Sequence, residues 1–233
     1  MVVVPSGAAV SRGSLAGRAI VLDPGHNGGN AGAPAAINRQ VPIGNGQTKP
    51  CNTTGTATND GYAEAAYTWD VALRARRVLR RRGAKVVLTR NDNHSVGPCV
   101  NERARIANRA HADATVSIHA DGGPVSGFGF HVIEPALIGG LTDDIFVASH
   151  RLAVDLRSAF RRRTAEPYAD YIAHNGLARR SDLGGLRLAD VPTVFIETGN
   201  MRNAGDAARM SRATYRLRVA RGIADGIERF LRR

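Results

Sequence analysis

The stretch from Ala19 to His26, which reads AIVLDPGH, constrains the fold of this chain more than any other. Its apolar start, with two β-branched residues, predicts a short buried strand. The Asp-Pro-Gly that follows ends the strand in a tight turn and leaves His26 just beyond its carboxyl end. Because ligands of open α/β sheets bind outside the carboxyl ends of the strands, His26 is a candidate functional residue. The alternative is that His26, one of seven histidines, only lines a loop.

Strand-like and helix-like segments alternate along the rest of the chain. One helical pattern follows an N-cap candidate at Asn59–Asp60 and stops at Gly83, and another follows Thr142. We predict strands at 19–22, 85–89, 114–118, 127–133, 169–173, 185–188 and 193–196, and helices at 61–82, 100–110, 143–163 and 204–231. This alternation is typical of parallel strands joined by right-handed crossovers. The predicted fold class is a single α/β domain: a twisted, mostly parallel central sheet of about six strands with helices on both faces.

Two segments lie outside this alternation. Residues 1–17 form an N-terminal extension, and residues 27–60 form a long polar loop rich in Gly, Asn, Thr and Pro. A loop of that length is typically a lid or a binding loop, or else it is disordered.

The net charge of +12 suggests a nucleic-acid partner by itself, but the composition argues against one. Of the 32 basic residues only Lys49 and Lys85 are lysines, a bias that is typical of a GC-rich coding sequence. The densest arginine runs, 80–82 and 161–163, fall at the ends of predicted helices, where the helix dipole favours cations that face solvent. With no helix-turn-helix, zinc-finger or RNP pattern, we expect no nucleic-acid partner, although the charge favours adsorption to an acidic polymer. No apolar run is long enough for a membrane span.

Cys51 and Cys99 are the only cysteines, and each lies in a predicted loop beside a proline. Their spacing matches neither a CxxC motif nor a metal site, so we favour a disulfide over two free thiols. Such a bridge would stabilise the fold by roughly 4 kcal/mol in the chain-entropy model, and it implies an oxidising compartment.

Four ionisable side chains are predicted to meet at the carboxyl edge of the sheet. His26, His119 and Glu197 follow predicted strands, and Glu64 lies in the first turn of a predicted helix. Two histidines and two glutamates from separate segments match a His₂Glu zinc site with an additional carboxylate base. Alternatively, Glu64 is only a negative charge favoured at a helix N-terminus. His174 is a weaker candidate ligand, and because no local motif such as HExxH is present, spacing alone does not identify the metal.

Six sequence features, some of them described above, occur in a characteristic order along nearly the whole chain. They are VLDPGH at 21–26, Glu64 at the head of a helix, VVLTR at 86–90, RARIAN at 103–108, SIHAD at 117–121 and VPTVFIETGN at 191–200. In these features the chain resembles the zinc-dependent N-acetylmuramoyl-L-alanine amidases of the amidase type 3 family. The resemblance implies that His26, Glu64 and His119 ligate one Zn²⁺ and that Glu197 is the catalytic carboxylate. It also implies an exported enzyme of the periplasm or cell wall that cuts the amide between N-acetylmuramic acid and L-alanine in peptidoglycan.

The chain departs from the family pattern at two positions. Asp121 stands where the family often has Asn, and Asn200 stands where it often has an aromatic residue. Some members also carry an inhibitory helix before the helix predicted at 143–163, but residues 134–142 are too few for one, so we predict a site that is not plugged from there. We expect residues 1–233 to form one catalytic domain without a separate wall-binding domain, a monomer whose partners are peptidoglycan and muropeptides.

Two other functions are compatible with the same residues. One is a related zinc peptidase that cuts bonds within the stem peptide, and the other is a non-catalytic binder of acidic wall polymer. The products of muropeptide digestion would separate the first from an amidase, and zinc content would separate the second.

Overall fold

A computed structural model of the chain describes residues 13–233, so most of the N-terminal extension expected at 1–17 lies outside the described residues. In chain order the strands are β1 (Ala19–Pro24), β2 (Gln40–Pro42), β3 (Thr48–Pro50), β4 (Lys85–Leu88), β5 (Ala114–Asp121), β6 (His131–Pro135), β7 (Leu177–Arg180) and β8 (Thr193–Asn200). The helices are α1 (Pro34–Asn38), α2 (Glu64–Arg81), α3 (Val100–Arg109), α4 (Phe146–Thr164), α5 (Gly184–Arg187), α6 (Ala204–Met210) and α7 (Ala213–Leu231).

Six of the strands form a central sheet in the order β4-β1-β5-β8-β6-β7. The first four run parallel, β6 is antiparallel to β8, and β7 is parallel to β6. The predicted fold class is therefore confirmed: one α/β domain around a six-stranded, mostly parallel sheet. The carboxyl ends of β1, β5 and β8 meet at one edge, and this edge carries the site described below.

The alternation of side chains along β1 separates two layers of helices. Ile20 and Leu22 are fully buried in the main core, which contains residues of α2, α4 and α7. Val21 points to the opposite face and packs with Ala107 of α3. Helices thus cover both faces, as predicted. None of the helices within residues 13–233 combines the length and apolar content that a membrane crossing requires.

The long segment 27–60 has structure of its own. It contains a short 3-10 helix at Asn30–Gly32, then α1, and then a hairpin in which β2 and β3 pair antiparallel. A disulfide between Cys51 and Cys99 ties the end of this hairpin to the start of α3, where the two cysteines and Val41 form a small buried cluster. The segment is therefore fixed to the body of the domain by a covalent bond.

Several predicted boundaries were wrong, each for a local reason. The helix predicted from 61 starts at Glu64, because Thr58 closes a separate turn by accepting a hydrogen bond from Tyr62 N. The helix predicted from 143 starts at Phe146, because the Thr142 hydroxyl donates to Ala136 O and so belongs to the preceding turn.

Three other elements also differ from the prediction. Residues 169–173 form no strand, residues 185–188 lie mostly in α5, and the strand β7 was not predicted at all. The predicted helix 204–231 is two helices, with Asn203 accepting hydrogen bonds from Gly205 N and Asp206 N at the first N-terminus. No glycine or proline marks the break at residues 211–212, so the pattern reads as one continuous helix.

Candidate metal centre

Three of the predicted site residues come together at the carboxyl edge of the sheet. Glu64, the first residue of α2, places one carboxylate oxygen 3.1 Å from His26 Nε2 and the other 3.0 Å from His119 Nδ1. One potential ligand atom from each of the three residues lies within 4.8 Å of the others. The N, O, N donor set is one that divalent zinc accepts, so these residues could hold a metal ion.

Glycines make this close approach possible. Gly25 lies beneath the His119 ring, and a Cβ built on it would stand only 2.3 Å from that ring. Gly55 adopts a left-handed backbone conformation with a φ of +78°, and a Cβ there would lie 2.7 Å from Glu64 Oε2. A larger residue at either position would push the three side chains apart.

Hydrogen bonds orient the side chains of the cluster. His26 Nδ1 lies 3.2 Å from the carbonyl oxygen of Thr53, and donation to that oxygen leaves Nε2 without a proton and directed at Glu64. The Glu64 carboxylate accepts from the backbone N–H groups of Thr56 at 3.0 Å and Ala120 at 3.1 Å. Burial alone would raise the pKa of Glu64, but the two histidines outweigh it and hold that pKa well below its usual range.

Glu197 stands beside this cluster on the same face of the sheet. It is the register partner of His119 across the parallel pair β5 and β8, so both side chains project to the same side. Glu197 Oε2 is buried and has no hydrogen-bond partner within residues 13–233. Burial, together with the negative charges of Glu64 and Asp121, raises the pKa of Glu197 well above its ordinary value.

The two strands extend further than predicted, which changes how the site is built. His119 and Glu197 were expected just after strands, but β5 continues to Asp121 and β8 to Asn200. The two side chains therefore stand on the face of the sheet near its end, where their alternation with buried residues fixes their direction. The Phe195 ring stacks on the His119 ring with 5.2 Å between centroids, which fixes the imidazole from one side.

Two cavities flank the cluster. One, of about 220 Å³, lies between the hairpin, α3 and α5, and has Lys49, Asn52 and Val100 in its wall. The other, of about 290 Å³, contains Glu197 and Asp121. Residues 136–145 form turns and no helix, so no helix from that segment covers the site, as predicted.

The remaining predicted candidate does not join the site, while residues that were not predicted do. His174 is exposed and pairs through its backbone with Leu177, away from the cluster. Arg180 lines the second cavity, and the Tyr171 hydroxyl donates to Asp121 at 3.0 Å. Arg180 was missed because β7 was missed, and Tyr171 because its neighbourhood is irregular. Asn200, which replaces a common aromatic, donates to Pro124 O and Gly127 O and so supports a loop.

A buried ion pair holds the turn that carries His26. Asp23 accepts hydrogen bonds from Arg103 at 2.6 Å and from the hydroxyls of Thr89 and Ser117 at 2.5 Å each. Arg103 also donates to the carbonyl oxygens of Pro24 and His26, both at 2.8 Å. Burial alone would raise the pKa of Asp23, but these partners lower it to about 2.

We expect Arg103→Met to lower the free energy of unfolding by about 3–5 kcal/mol, because it leaves a buried carboxylate without its counter-ion. The unfolded pKa is about 3.9, so the stability that Asp23 contributes in the native chain is complete above about pH 4 and is lost as the pH falls toward 2. Urea unfolding between pH 2 and 7 measures both effects. Arg105→Met, on the same helix but exposed and paired within residues 13–233 with Glu102 alone, is the control and should change stability by less than about 1 kcal/mol. An equal loss in both variants would contradict the assignment.

Comparison with known proteins adds an independent line of observation. The sequence profile of a family described as N-acetylmuramoyl-L-alanine amidase matches residues 20–229. The N-acetylmuramoyl-L-alanine amidase Rv3717 of Mycobacterium tuberculosis is 42% identical over 227 residues, which cover 97% of this chain and 91% of that protein.

Solved structures give the same result. The crystal structure of the N-acetylmuramyl-L-alanine amidase Ami1 from Mycobacterium smegmatis matches with a TM-score of 0.87 at 44% identity, covering 93% of this chain and 98% of that one. AmiC2 of Nostoc punctiforme matches with a TM-score of 0.69 at 24% identity, covering 93% of this chain and 98% of that one, and so supports the fold alone.

Proposed function

Because this chain belongs to the N-acetylmuramoyl-L-alanine amidase family, we propose that it is a zinc-dependent hydrolase of peptidoglycan. The bond it cuts is the amide between the lactyl group of N-acetylmuramic acid and L-alanine, the first residue of the stem peptide. The observation that carries this proposal is the cluster of His26, Glu64 and His119 beside Glu197, at the carboxyl edge of an amidase-like sheet.

We propose that His26, Glu64 and His119 hold the zinc ion. The fit is supported by the mixed nitrogen and oxygen donors and by the Thr53 carbonyl oxygen beside His26 Nδ1, which favours the tautomer with Nε2 available to a metal. When bound, zinc supplies Lewis acidity, which lowers the pKa of water and stabilises negative charge on an amide oxygen.

In this proposal Glu197 moves the proton. Its carboxylate takes a proton from the attacking water and delivers it to the nitrogen of the departing L-alanine. This protonation is needed because an amide does not release its amine as an anion. The raised pKa of Glu197 suits both halves of the task, because a carboxyl group that titrates closer to neutral pH both accepts and donates readily. Its unpaired Oε2 is free to accept a hydrogen bond from water.

The substrate implies a place and a role. Peptidoglycan lies outside the cytoplasm, so we propose that the chain is exported to the periplasm or cell wall and remodels the wall during cell separation. The disulfide between Cys51 and Cys99 is consistent with that oxidising environment.

Digestion of purified muropeptides tests the proposal. We expect free stem peptides that begin with L-alanine and glycans that keep the intact lactyl group, identified by their masses, and we expect a chelator to stop the reaction. Shortened stem peptides would instead identify a zinc peptidase. Absence of any product from the zinc-loaded protein would leave only a binder of wall polymer.

A further inference from the structure

We propose that the Arg180 guanidinium binds a carboxylate of the substrate and makes this chain selective for stem peptides whose second residue keeps a free α-carboxyl group. This inference rests on the proposed function, because it assigns the stem peptide to one of the two cavities beside the metal cluster. That cavity is the one of about 290 Å³ which Glu197 lines.

Arg180 is the last residue of β7, at the edge of the sheet, and it reaches into the cavity. The same cavity is lined by His26, Glu64 and His119, so a ligand that occupies it lies against both the metal cluster and the guanidinium. The Arg180 side chain is 41% exposed, so a ligand can reach it from the solvent side.

The guanidinium is held in a fixed direction by an ion pair. Its Nε and Nη2 donate to the two carboxylate oxygens of Asp182 at 2.8 and 2.7 Å. Lys49, from β3, donates to the same carboxylate at 2.9 Å and so joins it to the disulfide-bonded hairpin. Among residues 13–233 no acceptor bonds to Arg180 Nη1, which leaves this nitrogen for a ligand. A planar guanidinium already held on one side loses little freedom when it binds a carboxylate on the other.

The other charges of the cavity explain why a cation is needed there. Apart from the histidines and Arg180, the ionisable side chains among the described residues that line the cavity are the acids Glu64, Asp121 and Glu197. With Glu64 assigned to the zinc ion, a substrate carboxylate in this space would still be repelled by Asp121 and Glu197 unless a positive charge faced it. Among the described residues that line this cavity, Arg180 is the single arginine, and none is a lysine.

The reach of the substrate fits this arrangement. One residue of extended peptide spans about 3.3–3.6 Å, so the α-carboxyl group of the second residue lies within roughly 7 Å of the scissile amide. A cavity near 290 Å³ is of the size that takes a small ligand, about a dipeptide. With the scissile amide at the metal cluster, the second residue therefore falls within the space that Arg180 borders.

The test compares two substrates that differ by one charge: N-acetylmuramoyl-L-alanyl-D-glutamate and its α-amide. We expect the wild-type chain to have a kcat/KM about 10- to 100-fold higher for the free acid, as a charge-assisted hydrogen bond to a carboxylate would give. Arg180→Met should abolish that preference, mainly by raising the KM for the free acid. Arg180→Lys should restore part of it.

Arg179→Met is the matched control. Arg179 is the neighbouring residue on the opposite side of β7, where it donates to Glu134 and lies over the Phe146 ring. This variant should keep the preference for the free acid. Thermal melting of each variant checks that it is folded.

Calorimetric binding of L-alanyl-D-glutamate and its α-amide gives a readout that does not depend on turnover. Tighter binding of the free acid, lost in Arg180→Met, supports the proposal even if neither muramoyl substrate is cut, an outcome that would defeat the proposed function alone. The inference is overturned if the wild-type chain does not distinguish acid from amide, or if Arg180→Met weakens both substrates equally. Equal weakening would mean that Arg180 only compensates the charge of Glu197.

Discussion

Glu197→Gln is expected to reduce kcat by about 10²- to 10⁴-fold, the range that a positioned general acid–base group contributes. The substitution keeps the shape of the side chain and removes its ability to carry a proton. Because Glu197 is not among the three clustered ligands, the zinc content should stay near that of the unmodified protein. Initial rates on a soluble muropeptide, together with elemental analysis of the same sample, measure both quantities.

The loss of activity in this variant is not expected to come with a loss of stability. Burial, together with the charges of Glu64 and Asp121, raises the pKa of Glu197, and a neutral amide removes this unfavourable buried charge. The melting temperature of the metal-free variant should therefore not fall.

Glu134→Gln is the matched control for Glu197→Gln. Glu134 is a buried glutamate in the adjacent strand β6, but it pairs with Arg179 and His150. Its replacement should cost stability and leave kcat nearly unchanged. A Glu197→Gln variant with a near-normal rate would show that another group transfers the proton.

The sequence predicts much of the site because its chemistry lies at the ends of strongly patterned elements. The apolar run before Asp23 marks β1 and therefore places His26, and the helical pattern after residue 61 places Glu64 in its first turn. Cys51 and Cys99 had only each other as partners. For His26 and Glu64 a local pattern decides the position, and for the two cysteines their number decides the pairing, without knowledge of what packs against them.

What the sequence does not reveal depends on contacts between distant segments. β7 reads LARR, and its two arginines give it neither an apolar run nor a clear alternation, so the strand and Arg180 were missed. Its pairing with β6 through backbone hydrogen bonds makes it a strand. The role of Gly25 is equally hidden, because only the folded chain brings the His119 ring over it.

His119→Ala is expected to remove zinc and, with it, all measurable amidase activity. Zinc has three candidate protein ligands here. Loss of a contact that only supports a ligand weakens metal binding by about 10- to 100-fold, so loss of a ligand itself should weaken it by about 100-fold or more.

Ligands must also be deprotonated to bind a metal. Glu64 raises the pKa of His26 even though burial lowers it, so protons compete with zinc at this residue to a higher pH than at an ordinary histidine. Zinc should therefore leave the native protein as the pH falls.

Elemental analysis and thermal melting test this without any assay of activity. Since a ligand that binds only the folded state stabilises it by RT ln(1 + [L]/Kd), added zinc should raise the melting temperature of the native protein and not that of His119→Ala. His174→Ala is the control, because His174 is an exposed histidine outside the cluster, and this variant should keep both the zinc and the thermal response. If His119→Ala still bound one zinc per chain with the same thermal response, the ion would be held elsewhere and the proposed role of Glu197 beside it would fail as well.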